Sequence, residues 1–555
     1  NLKQIRTFKM KIKLTFHIIL FMILTNSLVY SQLNPEWVNT YIGSGNNNDE
    51  ALDHFTDDFG NVYSAGKIFQ TTSLFDIYVV KYNSSGVKLW ERIYNGPGNG
   101  NDIANSITND QNGNIYVGGE SKGETSFSDF ILLKFDNQGN QIWTKRFDGE
   151  NSSSDVAVKV VTDNTGNPVI SGRSHSSTSL FDIVTIKYNG NGDILWNSKY
   201  NGISNGNEFI DDMAIDDSDN VYVCGSSFAQ GEGNNFLLIK YNVSGDTLWT
   251  AGYNGPSNAN DNTTSLVIDL DKNIIISGSS VAPGTALDFA TLKYSSSGEL
   301  LWLRRYSSIA NSTPDEPKAI TCDVNGNIFV TGTSVEFNSY DFLTVKYSPK
   351  GDELWNRRYN GPTSNSFDEP RSLTTDISGN VFVAGLSQSS SAMDDMTIIK
   401  YDSIGNQVWL NRYNSPSNRN DVANNISIDL SGNLIVSGFI AGTNSLNDFA
   451  VIKFSQITNL NQTSSYNPEY FILFQNYPNP FNPSTNIEFT ISETSEISLT
   501  VSDIQGKVIQ TLSGKFLKPG LYSYNFNAAS LSSGIYFYTL KTLQKSVTKK
   551  MLLIR

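Results

Sequence analysis

The chain has 555 residues, 17% of them charged and 38% hydrophobic, with a formal net charge of −14. Aromatic residues at 12% exclude a disordered chain, and two Cys exclude a disulfide scaffold or a zinc-ribbon array. Three His argue against a multi-histidine metal enzyme, and no apolar run reaches the ~20 residues of a spanning helix.

Residues 1–31 read as a secretory signal, with Met10 as the expected start. Lys11 and Lys13 form the positive segment, Leu14 to Leu28 the apolar one, and Val29, Tyr30 and Ser31 the small-residue cleavage site. Charge is uneven beyond it. Residues 32–469 hold 27 basic and 50 acidic residues, a balance of −23, while residues 470–555 hold eight basic and four acidic. A body of that sign repels nucleic acid and anionic membrane surface and suits cations, basic proteins or neutral sugars.

The eight Trp are Trp37, Trp90, Trp143, Trp196, Trp249, Trp302, Trp355 and Trp409, spaced by 53 residues six times and then by 54. A fixed period of this size marks a repeat architecture. Asp57, Asp110, Asp163, Asp216, Asp269, Asp323, Asp376 and Asp429 each precede an Asn by four residues, and a Gly follows each Asn by five. Lys81, Lys134, Lys187, Lys240, Lys293, Lys346, Lys400 and Lys453 keep the same phase. Each period holds four short β-branched and aromatic segments, at 102–108, 114–119, 129–135 and 141–147 in the second unit, bounded by turn residues. No helical period appears between residues 32 and 455.

Four-stranded units of this length are propeller blades. Trp37 lies on a fourth strand with no three before it, and three strands without a fourth follow Trp409. The expected fold is therefore all-β: an eight-bladed β-propeller over 32–456, about 53 residues per blade, with the N-terminal strand closing the last blade. The Trp and the aromatic four residues later are expected to wedge between blades. The repeat resembles the bacterial beta-propeller repeat of secreted proteins, a family usually described as seven-bladed. The Gly-x-x-x-Trp step, from Gly86/Trp90 to Gly405/Trp409, resembles the tryptophan-docking motif of eight-bladed quinoprotein propellers. The quinone enzymes of that group use adjacent Cys, whereas Cys224 and Cys322 stand 98 residues apart and read as buried free thiols.

Residues 457–470 are polar and aperiodic and read as a linker. Residues 471–555 show strand alternation at 487–491, 497–501 and 535–540, with Pro519-Gly520 as a turn, which predicts a small seven-strand Ig-like β-sandwich. Its opening, Asn476 to Thr485, and its close, Lys549 to Arg555, resemble the C-terminal sorting domain of type IX secretion. The resemblance implies export across the outer membrane, a partnership of 471–555 with the type IX machinery, and a secreted or outer-surface location without an integral span.

A repeat lets the chain act as its own control: a site should break the pattern. Loop lengths hardly do, and chemistry is usually carried on elaborated loops. His54 is expected as a satisfied core residue of the innermost strand, and His175 as a loop residue. The acidic residues form the one constellation. Asp49, Asp102, Asp155, Glu208, Asp261, Asp315, Asp368 and Asp421 open each first strand; Asp76, Asp129, Asp182, Asn235, Asp288, Asp341, Asp395 and Asp448 open each third. First and third strands run the same way, so both sets share one face. They either cap their loops or form a cation-attracting mouth, with Ca²⁺ as the possible ligand. No catalytic residue, metal centre or other cofactor is expected. The functional expectation is a secreted or surface binding and adhesion scaffold for an unidentified protein or glycan; an extracellular hydrolase or lyase and a structural surface-layer component are the alternatives.

Overall fold

The computed structural model describes residues 33 and 35–554, apart from 178, 309–312, 337–338, 364–365, 390–392, 431, 444, 456–459, 465–467 and 529–530. The signal segment, 1–31, lies outside the described residues. Strands make up the fold; the one helix among the described residues is a short 3-10 turn at Glu150–Ser152.

Eight four-stranded antiparallel sheets follow one another. Sheet 1 contains Glu50–Thr56, Val62–Gln70, Leu74–Tyr82 and Lys88–Tyr94, paired in that order. Sheets 2 to 7 repeat it over 102–147, 155–200, 208–253, 262–306, 315–359 and 368–413. Sheet 8 takes three strands from 422–454 and its fourth, Pro35–Tyr41, from the other end of the chain, with Trp37 opposite Lys453 and Tyr41 opposite Phe449. The strand that the Trp count assigns to the last blade is therefore in it.

The turns explain the periodic residues. In the hairpin joining first and second strands, Asp57 accepts the N–H of Phe59 at 3.0 Å and of Asn61 at 2.9 Å, and Gly60 adopts φ +76°. The Gly at the next periodic position has another cause. Each first strand carries a register shift one step after its second or third residue, as between Ala51 and Asp53. A Cβ on Gly66 would lie 2.0 Å from the Glu50 carbonyl oxygen, so the bulge demands Gly opposite it.

Each junction between neighbouring sheets has its own small core. Tyr63, Ile77 and Val79 of sheet 1 meet Ile107, Val117 and Leu133 of sheet 2. The eighth cluster joins Tyr78 and Val80 of sheet 1 to Ile435, Phe449 and Val451 of sheet 8, so the succession returns to its start. Polar bonds cross the same junction: Asn425 Nδ2 donates to Asp53 at 2.8 Å, and Asn424 Nδ2 to the Ala51 carbonyl at 3.0 Å.

Seven of the Trp residues, Trp37 to Trp355, lock their junctions from outside. Trp90 Nε1 donates to the Asn137 carbonyl in the last turn of sheet 2 at 3.0 Å, and Trp143 to Gly190 at 3.1 Å. Lys134 Nζ reaches the same Gly190 carbonyl at 2.8 Å. The Gly two residues later in that turn is the floor under the indole: a Cβ on Gly139, at φ +80°, would sit 2.6 Å from Trp90. The docking Trp thus belongs to the preceding sheet, not to the Gly's own. Trp37 and Lys453 both donate to Ser84 of sheet 1, at 3.3 and 2.9 Å, which repeats the clasp across the chain ends. Trp302 and Trp355 are buried, and full burial of so large an aromatic contributes about 2–3 kcal/mol.

The C-terminal module is two four-stranded sheets around Phe489, Leu499, Val501, Tyr538 and Met551. Seven strands come from 472–553, as predicted. The eighth, Leu460–Ser464, falls in the segment read as a linker and pairs with Gly520–Asn527. Strand pairing uses backbone groups alone, so a polar aperiodic segment can fill a sheet edge without any side-chain signature.

Candidate functional site

The first acidic set is buried: Asp49, Asp102, Asp155, Glu208, Asp261, Asp315, Asp368 and Asp421 are each 0% exposed. Each holds the loop that leads into its sheet. Asp49 accepts Gly43 N at 2.5 Å and Phe69 N at 2.6 Å; Asp102 accepts Gly96 N at 2.5 Å and Lys122 N at 3.0 Å. Asp155 accepts Gly149 N at 2.6 Å and His175 N at 3.2 Å. Asp261 takes the N–H of Gly255 and that of Val281 at 3.2 Å, and Asp421 those of Ser415 at 2.5 Å and Ala441 at 2.9 Å. Asp315 accepts Ser308 N at 2.6 Å and Asp368 accepts Gly361 N at 2.7 Å. Glu208 accepts the Ser227 hydroxyl at 3.2 Å. These carboxylates are loop caps that tie an incoming loop to the second strand, and none opens as a rim to solvent.

The seven carboxylates of the second set are buried as well, and five of them pair with a cation three residues beyond the Trp. Arg146 reaches Asp129 at 2.6 Å, Lys199 Asp182 at 2.7 Å, Arg305 Asp288 at 2.8 Å, Arg358 Asp341 at 2.7 Å and Arg412 Asp395 at 2.8 Å. Sequence inspection placed the acids on one face but missed these cations; their register against the Trp was the available signal. The two acidic sets meet at the junctions. Burial, with Asp448 nearby, pushes Asp49 up to about 6; burial, with Asp395 nearby, does the same for Asp421. Burial beside Asp182 pushes Glu208 up to about 7.

One trio could approach a cation. Oxygens of Asp129, Asp148 and Asp155 lie within 4.8 Å of one another at the junction of sheets 2 and 3. A Ca²⁺ there would compete with Arg146 for Asp129 and with two backbone N–H groups for Asp155.

Around the axis the first strands of neighbouring sheets touch, and there the repeat varies. The bulged residue is in turn Leu52, Asn105, Val158, Asp211, Thr264, Lys318, Arg371 and Asn424; the residue after it is Asp53, Ser106, Lys159, Asp212, Ser265, Ala319, Ser372 and Asn425. Asp53 accepts Ile107 N at 3.1 Å and Asp212 accepts Leu266 N at 3.1 Å, each satisfying a group the next sheet's bulge sets free. Lys159 stands 4.0 Å from Asp212, and these two acids hold its ammonium charged against its burial. Burial pushes Asp211 up to about 6. Lys318 pairs with Glu316 at 3.5 Å and Arg371 with Glu369 at 3.4 Å. Loop lengths could not reveal these residues; reading the first strands in register would have.

His54 is the core residue expected of it. Its Nδ1 meets Ser437 Oγ and its Nε2 Ser427 Oγ, both at 2.7 Å, and burial lowers its pKa to about 4. His175 ends the second strand of sheet 3 rather than lying on a loop, with its ring edge-on to Phe181 at 5.6 Å. Both thiols are free; Cys224 is buried, but Cys322 is only partly so.

Residues 475–554 match the secretion system C-terminal sorting domain. The protein is secreted by the type IX system and attached at the outer cell surface, and its tail engages that machinery. Among the described residues no helix is long and apolar enough to cross a membrane. Similar solved structures include a fungal alcohol oxidase in complex with copper, 9% identical over 94% of this chain and 100% of that one, TM-score 0.38. A Synechocystis apocarotenoid oxygenase is 10% identical over 69% and 94%, TM-score 0.36, and a polysaccharide lyase 8% identical over 79% and 93%, TM-score 0.30. Likeness at that level carries no argument about activity. No curated protein matches the chain.

Proposed function

We propose that this protein is a binding and adhesion scaffold of the cell surface, without intrinsic catalysis. One observation carries the reading: the sheets repeat their caps throughout and their turns and Trp clasps at all but one place, and they differ at side chains around the axis and at single slots on the acidic face. Such a body varies recognition groups on a constant frame, which suits binding. The acids that could have formed an open catalytic or cation-collecting rim are occupied with loop backbone. Ca²⁺, if it binds, has the Asp129, Asp148 and Asp155 trio as its place.

The test is a glycan and protein array probed with the mature protein, followed by mass analysis of the retained species. Saturable retention of an unaltered ligand is expected. Cleavage or elimination in the retained species would replace the scaffold by a hydrolase or lyase.

A further inference from the structure

The five cations three residues beyond the Trp occupy one kind of slot. Besides its Asp, Arg146 bonds the hydroxyl and carbonyl of Ser121, at 2.7 and 2.9 Å. Arg412 does the same with Ser387, at 2.9 and 2.9 Å, and Arg305 and Arg358 reach Ser280 and Ser334 likewise. Arg305 and Arg412 also meet a Tyr hydroxyl from the preceding sheet, Tyr253 at 2.9 Å and Tyr359 at 3.1 Å. Asp, Ser and Tyr therefore form a guanidinium receptor built repeatedly into this chain.

Sheet 4 keeps the Ser and Tyr of that receptor and lacks the guanidinium. Gly252 stands where the Arg would be, after Thr250 and Ala251, and Asn235 stands for the Asp. Tyr200 and Ser227 remain and are bonded to each other. The space is a cavity of about 410 Å³ whose lining includes Tyr200, Ser227, Phe228, Glu232, Asn235 and Gly252. Asn235 donates to Glu232 at 2.8 Å, while its own Oδ1 is buried without a partner. The backbone does not require Gly here: a Cβ on Gly252 would meet only the Phe236 carbonyl, at 3.5 Å.

We propose that this slot binds an arginine side chain presented by a partner peptide, an inference that rests on the binding reading above and names its ligand chemistry. The planar guanidinium would donate to the Asn235 Oδ1, Ser227 and Tyr200 oxygens, as the built-in arginines do in their own sheets, with the Glu232 carboxylate as counter-charge. The Tyr200 and Phe228 rings offer faces to the cation. Ile203, fully exposed at the cavity, offers apolar surface to the alkyl stem.

The test titrates the mature protein with N-acetyl-arginine amide by calorimetry, with the neutral citrulline analogue and a methyl glycoside as controls. Saturable binding of the arginine compound alone is expected. Gly252→Arg, which supplies the guanidinium from within, should abolish it without lowering the melting temperature. Asn235→Asp, which restores the acid found in the other slots, should tighten it about fivefold. No binding by the arginine compound, equal binding by citrulline or glycoside, or unchanged affinity in Asn235→Asp would overturn the inference; the last decides it should Gly252→Arg fail to fold. A partner found on the array that Gly252→Arg still binds equally would end the slot proposal and leave the scaffold reading in place.

Discussion

Asp102 shows how a carboxylate can be conspicuous in sequence and closed in structure. Both its oxygens are taken, by Gly96 N and Lys122 N. Asp102→Asn keeps one acceptor and turns an NH₂ toward a backbone N–H, so it should cost about 1–3 kcal/mol of stability. The loss should be equal in millimolar Ca²⁺ and in chelator, as measured by denaturant unfolding; a loss seen only in Ca²⁺ would make the residue a metal ligand. Glu208 differs because its Oε2 has no partner and can carry a proton. Its pKa is raised from 4.5 to about 7, so the folded state binds the extra proton between those values. That contribution is fully present below about pH 4.5 and is lost as pH rises through about 7. Glu208→Gln should remove this fall from the pH dependence of melting, and an unchanged profile would contradict the assignment.

At the scale of elements, the strands and turns were legible because period-two alternation and Asp-x-x-Gly-Asn hairpins are local signals. The bulge in every first strand was not. In a segment such as Asp155–Thr162 no residue marks the bulge, and the register shift appears only against its partner. The acidic sets could be placed on one face from strand direction, but their burial depends on how far loops such as 95–101 fold back. The empty slot of sheet 4 was written in Gly252 and Asn235 yet needed the cross-strand pairing of Arg146 with Asp129 in sheet 2 to be read. Closure depends most directly on the Pro35–Tyr41 strand, which supplies the Trp37 clasp on Ser84 and covers the edge of Asn447–Phe454. Deleting residues 32–42 should expose that edge and lower the melting temperature with aggregation, read by calorimetry and light scattering. Unchanged melting and monodispersity would contradict it.

At the scale of the whole molecule, an acidic ring of sheets is joined to a small, basic sandwich that serves export. The ring's stability is spread over eight comparable junctions, each with a core and capped loops and seven with a Trp clasp, so most single substitutions should loosen one junction rather than the whole. This division of labour places the address in 471–555 and, on the proposed reading, the binding surface in the ring. The most direct measurement is surface immunolabelling with cell fractionation of cells producing the full chain or a chain lacking 471–555. The full chain should label at the outer surface and the truncated chain should be held in the periplasm. Normal surface labelling of the truncated chain would contradict the account.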